Sequence, residues 1–476
     1  MEVIPIPLYD QSSPAKGIRT RTFFIVDACL DEDALRNALD VLIRRHWRKL
    51  GGRIVARQGD RNQPEYHVPK QFEPDYALFS WSSSKPGHSI DKVAAAIRSP
   101  AQDEGPLLLP SMATVDSWFR PSEWPYHQQD ALPEDPFLFV HLSLFTDATV
   151  ITISIPHLVA DQMGLRNIIK AWLGLIEGRD PPAMVGYDGD VLPGSGKAYT
   201  DYAKEEVVRK GRQRVRRTGE YFPFVLLPLL LELLVSFKEE HYVMFLPLSL
   251  VRSVRERCTK KIQEEYAEPA RLSDGDIISA ILLKFCRMHK NKPQMLALSQ
   301  AVNRGPLSAV RGVVPELGAD TCDGFIHNAI HSSTARFRLE RSTPLSDIAH
   351  ANRKAIEEAR SLRDAEIGMV VLREMARRGQ SSHTCEPFER SYFVSNWCAA
   401  WSDLDFSPAI KEGEAVVGKP KLLVLGASGM RGTPKRFSSF IFSKTDEGYW
   451  TDFGVPVPAM KLIKEHLQWD PKLEHL

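Results

Sequence analysis

Residues 149–176 constrain the fold more than any other stretch of the chain. Thr149-Val150-Ile151-Thr152-Ile153-Ser154-Ile155 alternates β-branched apolar side chains with hydroxyls, the period of a half-buried strand. Pro156 removes a ladder donor and ends it. Leu165, Ile168, Ile169, Trp172, Leu173 and Ile176 then recur at helical spacing, with Gly178 as the stop. Upstream, Phe137 to Phe145 forms a partner strand across a Thr146-Asp147-Ala148 turn. Strands that alternate with amphipathic helices specify a mixed α/β protein.

The rest of the chain repeats that alternation. Thr20 to Val26 predicts a strand, and Leu35, Ala38, Leu39, Leu42, Ile43 and His46 a helix behind Asp31 and Asp33. In the second half, Ser273 caps a helix with Asp276 three residues on, and Leu296 to Val302 forms a strand. Short strands near 390–397, 420–426, 437–443 and 448–453 come last. Pro- and Gly-rich composition between 178 and 200 marks a surface connection. The expected organisation is an N-terminal half at 1–195, a crossover at 196–245 and a C-terminal half at 246–476. Within the crossover, the apolar run Phe222 to Val235 is expected to be buried or to line a pocket. It is shorter than the ~20 residues a spanning helix needs, and it carries Pro228 and Glu232. The basic cluster from Arg209 to Arg217 is expected to be a solvated helix face.

Composition narrows the partners. Among 476 residues, 61 Lys and Arg face 60 Asp and Glu, a net charge of +1. Such a chain has no overall field to draw it to nucleic acid or an anionic membrane. Six cysteines (29, 258, 286, 322, 385 and 398) are scattered without a CxxC pair, which argues against a disulfide framework or a cysteine zinc site. The start lacks a secretory signal, so a cytoplasmic location is expected. Cys322, His327 and His331 are the nearest approach to a metal set. If 325–332 is a strand, the two histidines lie ~13 Å apart and cannot share an ion. No metal is expected.

The chemistry centres on His157-Leu158-Val159-Ala160-Asp161. A histidine leaving a strand is held by rigid backbone at the mouth where substrate can reach it, and its pKa suits proton abstraction at neutral pH. Asp161, at the helix start, is placed to fix the turn. By composition alone the pair is weak, because a satisfied histidine beside a helix-capping aspartate accounts for it as well.

The surrounding order of motifs gives it meaning. Strand, His157-x-x-x-Asp161 and helix resemble the signature of BAHD-type acyltransferases with the two-domain chloramphenicol-acetyltransferase-like α/β fold, each half a mixed sheet with packed helices. Trp47-Arg48-Lys49-Leu50-Gly51-Gly52-Arg53 looks like the early Leu-x-Gly-Arg element. Leu272-Ser273-Asp274-Gly275-Asp276 looks like L-S-x-x-D, Val302-Asn303-Arg304 like V-N/D-x-R, and Ser395-Asn396-Trp397 with Asp405-Phe406 like T/S-S-W … D-F-G-W-G. The resemblance runs from about residue 20 to 467 and is nearest to fungal natural-product acetyltransferases.

That resemblance implies an acyl group, acetyl foremost, moving from acyl-CoA to a hydroxyl of an apolar small molecule. Acyl-CoA would be a co-substrate, with no bound cofactor, and the enzyme a monomer. His157 would be the general base, Ser395 and Trp397 the oxyanion donors, and Asp161 a structural partner of Arg304. Asp405 would be structural, and Ser273 would assist coenzyme A phosphate. Departures are Gln162 in place of the glycine after the aspartate, with Gly164 two further on, and Ser407-Pro408 in place of the D-F-G-W-G glycine. Asp452-Phe453-Gly454 is expected to belong to the last strand. Pro156 replaces the first histidine of peptide-synthetase condensation domains, which favours a stand-alone enzyme. Acyl transfer from a carrier protein, transfer to an amine, and a non-catalytic ligand-binding relative remain alternatives.

Overall fold

The computed structural model describes the chain apart from residues 14, 58–59, 101–103, 209–211, 218, 221, 267–270, 304–322, 415–416 and 430–432. Two mixed sheets carry the architecture. The first has the order β13 (Leu422–Ala427), β2 (Arg19–Val26), β8 (Thr149–Pro156), β7 (Phe139–Leu144), β5 (Ser80–Ser84). Only its β5–β7 pairing is parallel. The second runs β11 (Ile330–Leu339), β10 (Gln294–Asn303), β12 (Arg390–Asn396), β14 (Ser438–Lys444), β15 (Gly448–Pro456), β9 (Glu239–Pro247), β6 (Leu107–Leu109). Here β12 lies parallel to both β10 and β14. A small sheet of β1 (Glu2–Pro5), β4 (Asp60–Val68) and β3 (Arg53–Arg57) packs beside the first.

The strands do not sort by position in the chain. β13, from the C-terminal part, pairs with Arg21 to Val26 of β2, and β6, from the N-terminal part, closes the far edge of the second sheet on β9. β9 itself begins at Glu239, inside the expected crossover. An edge strand left open exposes unpaired N–H and C=O groups, so exchanging edge strands both covers edges and ties the two sheets together.

The hairpin at 137–156 forms as its pattern predicts, with Phe145 N–H closing the turn on Ala148 O at 3.0 Å. β8, however, is buried on both faces and not half-buried. Its hydroxyl face is covered because polar partners meet it there. Arg19 Nε donates to Ser154 Oγ at 2.9 Å, and Thr152 Oγ1 donates to Phe119 O at 3.1 Å. On the other face the helix Gln162–Ile176 buries Leu165, Ile168, Ile169, Trp172 and Leu173, and Trp172 Nε1 donates to Leu35 O at 2.7 Å.

The crossover overturns both expectations made for it. In the helix Leu227–Val235, Leu227, Leu230, Leu231 and Leu234 face outward, Leu234 being 78% exposed. Glu232 is the side chain turned in, at 6% exposure, meeting Arg287 at 2.6 Å, Arg390 at 3.1 Å and Lys290 at 3.8 Å. A carboxylate with three cationic partners outweighs the burial of a leucine stripe, and it sets the rotation of the helix. Among the described residues no helix is long and apolar enough to cross a membrane. The basic cluster is likewise not a solvated helix face. Arg212 pairs with Asp364, Arg214 with Glu220 and Glu386, and Arg216 is buried, donating to Cys385 O. Arg209 and Lys210 lie outside the described residues.

Candidate active site

His157 is the first residue beyond β8, and its N–H makes one more rung, to Ile18 O at 3.0 Å. Past that point the sheet no longer holds the chain. Side chains take over: Asn328 Nδ2 donates to His157 O at 2.8 Å, and Tyr66 Oη to Leu158 O at 2.7 Å. The ring is half-buried, with Nδ1 enclosed. Placing Nδ1 in the protein leaves Nε2 as the nitrogen a substrate can meet.

Asp161 is the N-cap of the helix Gln162–Ile176. One carboxylate oxygen accepts from Gly164 N–H at 2.9 Å. The other accepts from Asn303 Nδ2 at 3.0 Å and Ala329 N–H at 3.1 Å. Burial raises its pKa above the ordinary carboxylate range, and the backbone donors oppose that rise. Asp161 thus ties the turn to the second half of the chain. Its expected partner, Arg304, lies outside the described residues, whereas Asn303 immediately before it supplies one of these bonds.

The departure at Gln162 has a compensation two residues on. A Cβ at Gly164 would stand 1.8 Å from Ile326 O, so only glycine lets the helix approach the 325–330 segment this closely. Asn167 Nδ2 reinforces the same contact by donating to Phe325 O at 2.7 Å.

Ser395 and Trp397 come together at the end of β12. The indole N–H donates to Ser395 Oγ at 3.0 Å, and the ring lies against Phe440 and Phe442. It also rests on Gly426, where a Cβ would come within 2.3 Å of it. Gly426 pairs with Thr22, and Thr22 with Ile153 of β8, the strand that ends at His157. The indole N–H is therefore committed to Ser395.

The other expected residues have internal partners. Ser273 Oγ donates to Asp276 Oδ2 at 2.7 Å within its capping box, and Arg353 donates to both. Asn352 Nδ2 reaches Asp276 Oδ1 at 2.8 Å, so this element clasps the helix Leu345–Ala359 to the helix Asp274–Arg287. Asp405 accepts from Ser407 N–H at 3.0 Å and Oγ at 2.6 Å, rebuilding with a serine the turn that a glycine would make. Asp452, in β15, pairs with Lys435 at 2.9 Å. Cys322 lies outside the described residues. His327 stands before β11, not in a strand, with Nε2 3.3 Å from Lys49 Nζ. His331 bonds Ala359 O through Nε2 at 2.7 Å.

No protein-family model matches the chain. Relatives do, over most of their length. Acetyltransferase adrJ of Penicillium rubens is 26% identical over 428 residues, covering 87% of this chain and 83% of adrJ. Acetyltransferase sphE of Aspergillus fumigatus is 26% identical over 98% of this chain and 94% of its own. Transcriptional regulator calD of Penicillium decumbens is 25% identical over 98% and 96%. Among solved structures, F. graminearum TRI101 complexed with coenzyme A and T-2 mycotoxin superposes with a TM-score of 0.69 at 14% identity, over 98% of both chains. Vinorine synthase gives 0.56 at 16%, over 97% and 92%. The chain is thus similar over most of its length to fungal proteins named acetyltransferases, and it shares the fold of TRI101 and vinorine synthase.

Behind the turn lie buried polar residues that the motifs do not assign to this site. Asp10, Lys49, Tyr66, His327 and Asn328 all pack behind the His157 turn. Lys49, part of the early Leu-x-Gly-Arg element, is 1% exposed and donates to Tyr187 O at 2.7 Å. No local pattern announces such residues, because their partners lie far along the chain.

Proposed function

We propose that this chain transfers an acyl group, acetyl foremost, from coenzyme A to a hydroxyl of a small apolar natural product, with His157 as general base. The observation that carries this reading is the asymmetry of the turn. The imidazole stands at the strand mouth with Nδ1 enclosed, while Asp161 is turned away into backbone and amide donors. A structural His–Asp pair has no need of that division. Nε2 takes the proton of the acceptor hydroxyl as its oxygen attacks the thioester carbonyl. The tetrahedral oxyanion then collapses, and the departing sulfur recovers the proton from His157. Ser395, which accepts the indole hydrogen bond of Trp397, is the proposed oxyanion donor, with Trp397 acting through it. No covalent acyl-enzyme is required. The proposed halves at 1–195 and 246–476 both furnish this site from one chain, which supports a monomer, placed in the cytoplasm.

Names among the relatives include transcriptional regulators as well as acetyltransferases, so the test must separate catalysis from binding. The protein is incubated with acetyl-CoA and a panel of terpenoid and polyketide alcohols and amines, with products read by mass spectrometry. The reading expects an acetyl ester that His157→Ala does not form. Thermal stabilisation by coenzyme A without any product would support a ligand-binding relative instead. Amide products would move the acceptor class to amines.

A further inference from the structure

The groups behind His157 form a connected chain. Asp10 lies in the turn after β1 and is 2% exposed. Its Oδ1 accepts from Asn328 Nδ2 at 2.7 Å and from Asn328 N–H at 3.3 Å. The second hydrogen of the same Nδ2 goes to His157 O at 2.8 Å. The amide orientation is dictated by these partners, because a flipped amide would set its oxygen against a carboxylate and a carbonyl. Asn328 Oδ1 has no hydrogen-bond partner among the described residues. The side chain is therefore held entirely through its donors.

Beyond Asp10 lie further buried groups that are not hydrogen-bonded to it. His327 Nδ1 is 3.9 Å from Asp10 Oδ2, and Lys49 Nζ is 3.3 Å from His327 Nε2. Tyr9, next to Asp10, donates to Ile330 O, tying the same turn to the start of β11. The segment 325–330 thus receives Asp10 on one side and Asp161 on the other, and it returns one amide to the carbonyl of His157.

This geometry matters because a general base must hold its nitrogen within ~2.6–3.2 Å of the proton it takes. The last sheet bond is made by His157 N–H, and among the described residues the donor to the His157 carbonyl is Asn328. We infer that Asp10 and Asn328 form a relay that positions His157 for proton transfer, with Asn328 the clamp and Asp10 the group that orients the clamp. The relay rests on the general-base reading of His157 and adds two positioning residues to it. Neither touches substrate.

The test measures kcat, KM and melting temperature with acetyl-CoA and whichever panel alcohol the wild type acetylates fastest, read by release of the coenzyme A thiol. Asn328→Ala should lower kcat roughly 10- to 100-fold, the scale of a small misplacement of a reacting group, with KM for both substrates nearly unchanged. Asp10→Ala should act the same way. The double variant should be no worse than Asn328→Ala, because the two act in series. Asp10→Asn keeps an acceptor for Asn328 and should restore most of the lost kcat. If Asn328→Ala does not fold, Asn328→Ser and the Asp10→Ala and Asp10→Asn pair read the relay from either end. A wild-type kcat in these variants beside an inactive His157→Ala would overturn the relay alone. Losses that simply multiply would overturn it too. An active His157→Ala would instead overturn the general-base reading beneath it.

Discussion

The turn at His157–Asp161 and the crossover at 209–235 are both dense in polar and apolar signals, and they behave in opposite ways. In the turn the pattern and the structure agree. The strand ends at Pro156, the histidine follows it, and the aspartate caps the helix. In the crossover each signal is inverted. Leucines spaced for burial face out, while Glu232, Arg212, Arg214 and Arg216 are engaged by ion pairs. The difference teaches what periodicity can decide. It tells which side chains share a face, and it does not tell which way that face points. In the turn the direction follows from local geometry, since the capping bond of Asp161 is made to Gly164 N–H three residues on. In the crossover it follows from Arg287 and Arg390, which no local window contains.

The comparison breaks most easily at Glu232. Glu232→Ala leaves Arg287 buried beside no counter-charge, and it should cost on the order of 3–5 kcal/mol of stability. At temperatures where the variant stays folded, kcat should be unchanged. Urea melts and steady-state rates on the same sample check both halves of that statement, and a neutral effect on stability would mean that the ion cluster does not set the helix.

Asp10 offers the next contrast, a charged group drawn in beside the turn itself. Burial raises its pKa to about 7, against the opposing effect of the Asn328 hydrogen bonds. Lys49 lowers it and Asp190 raises it, and His327, Tyr9, Tyr66 and Asp161 complete the ionisable surroundings. With a folded pKa above the unfolded value near 4, the stability tied to the protonated carboxyl is fully present below pH 4. It is lost as pH rises through about 7. The melting temperature of the wild type should therefore fall relative to Asp10→Asn between pH 4 and pH 8, by several degrees. A constant gap across that range would show that Asp10 titrates normally.

Smaller still is the effect at Trp397. Trp397→Phe keeps the packing against Phe440 and Phe442 and removes only the donor to Ser395. On the proposed role of Ser395 as oxyanion donor, kcat should fall about tenfold, less than the 10²–10³ of a direct donor, with KM nearly unchanged. A drop in KM-limited efficiency alone would make it a pocket wall. The smallest effect is expected at the crossover surface. Leu234→Ser should change stability by no more than about 0.5 kcal/mol, as for other exposed positions, and a larger loss would restore the buried helix that the periodicity suggests.

Much of the fold was readable because it is local. The β7–β8 hairpin, the helix behind Asp161, the capping box at Ser273 and the last strand at 448–456 each follow from spacing within a dozen residues. The exchange of β6 and β13 between sheets was not readable, since a three-residue strand such as Leu107–Leu109 carries no pattern of its own. At the site, His157 and Asp161 were readable by motif. Asp10 and Asn328 were not, because their bond spans 318 positions and neither residue type is marked for burial.

The central claim is that His157 moves the proton in acyl transfer, and the ester itself reports on it most directly. Wild type and His157→Ala are compared at equal folded concentration with saturating acetyl-CoA and one acetylated alcohol, and ester formation is followed by mass spectrometry. Loss of the base should slow turnover roughly 10²- to 10⁴-fold while the melting temperature stays close to wild type. Ester formation by His157→Ala at a rate within tenfold of wild type would contradict the account.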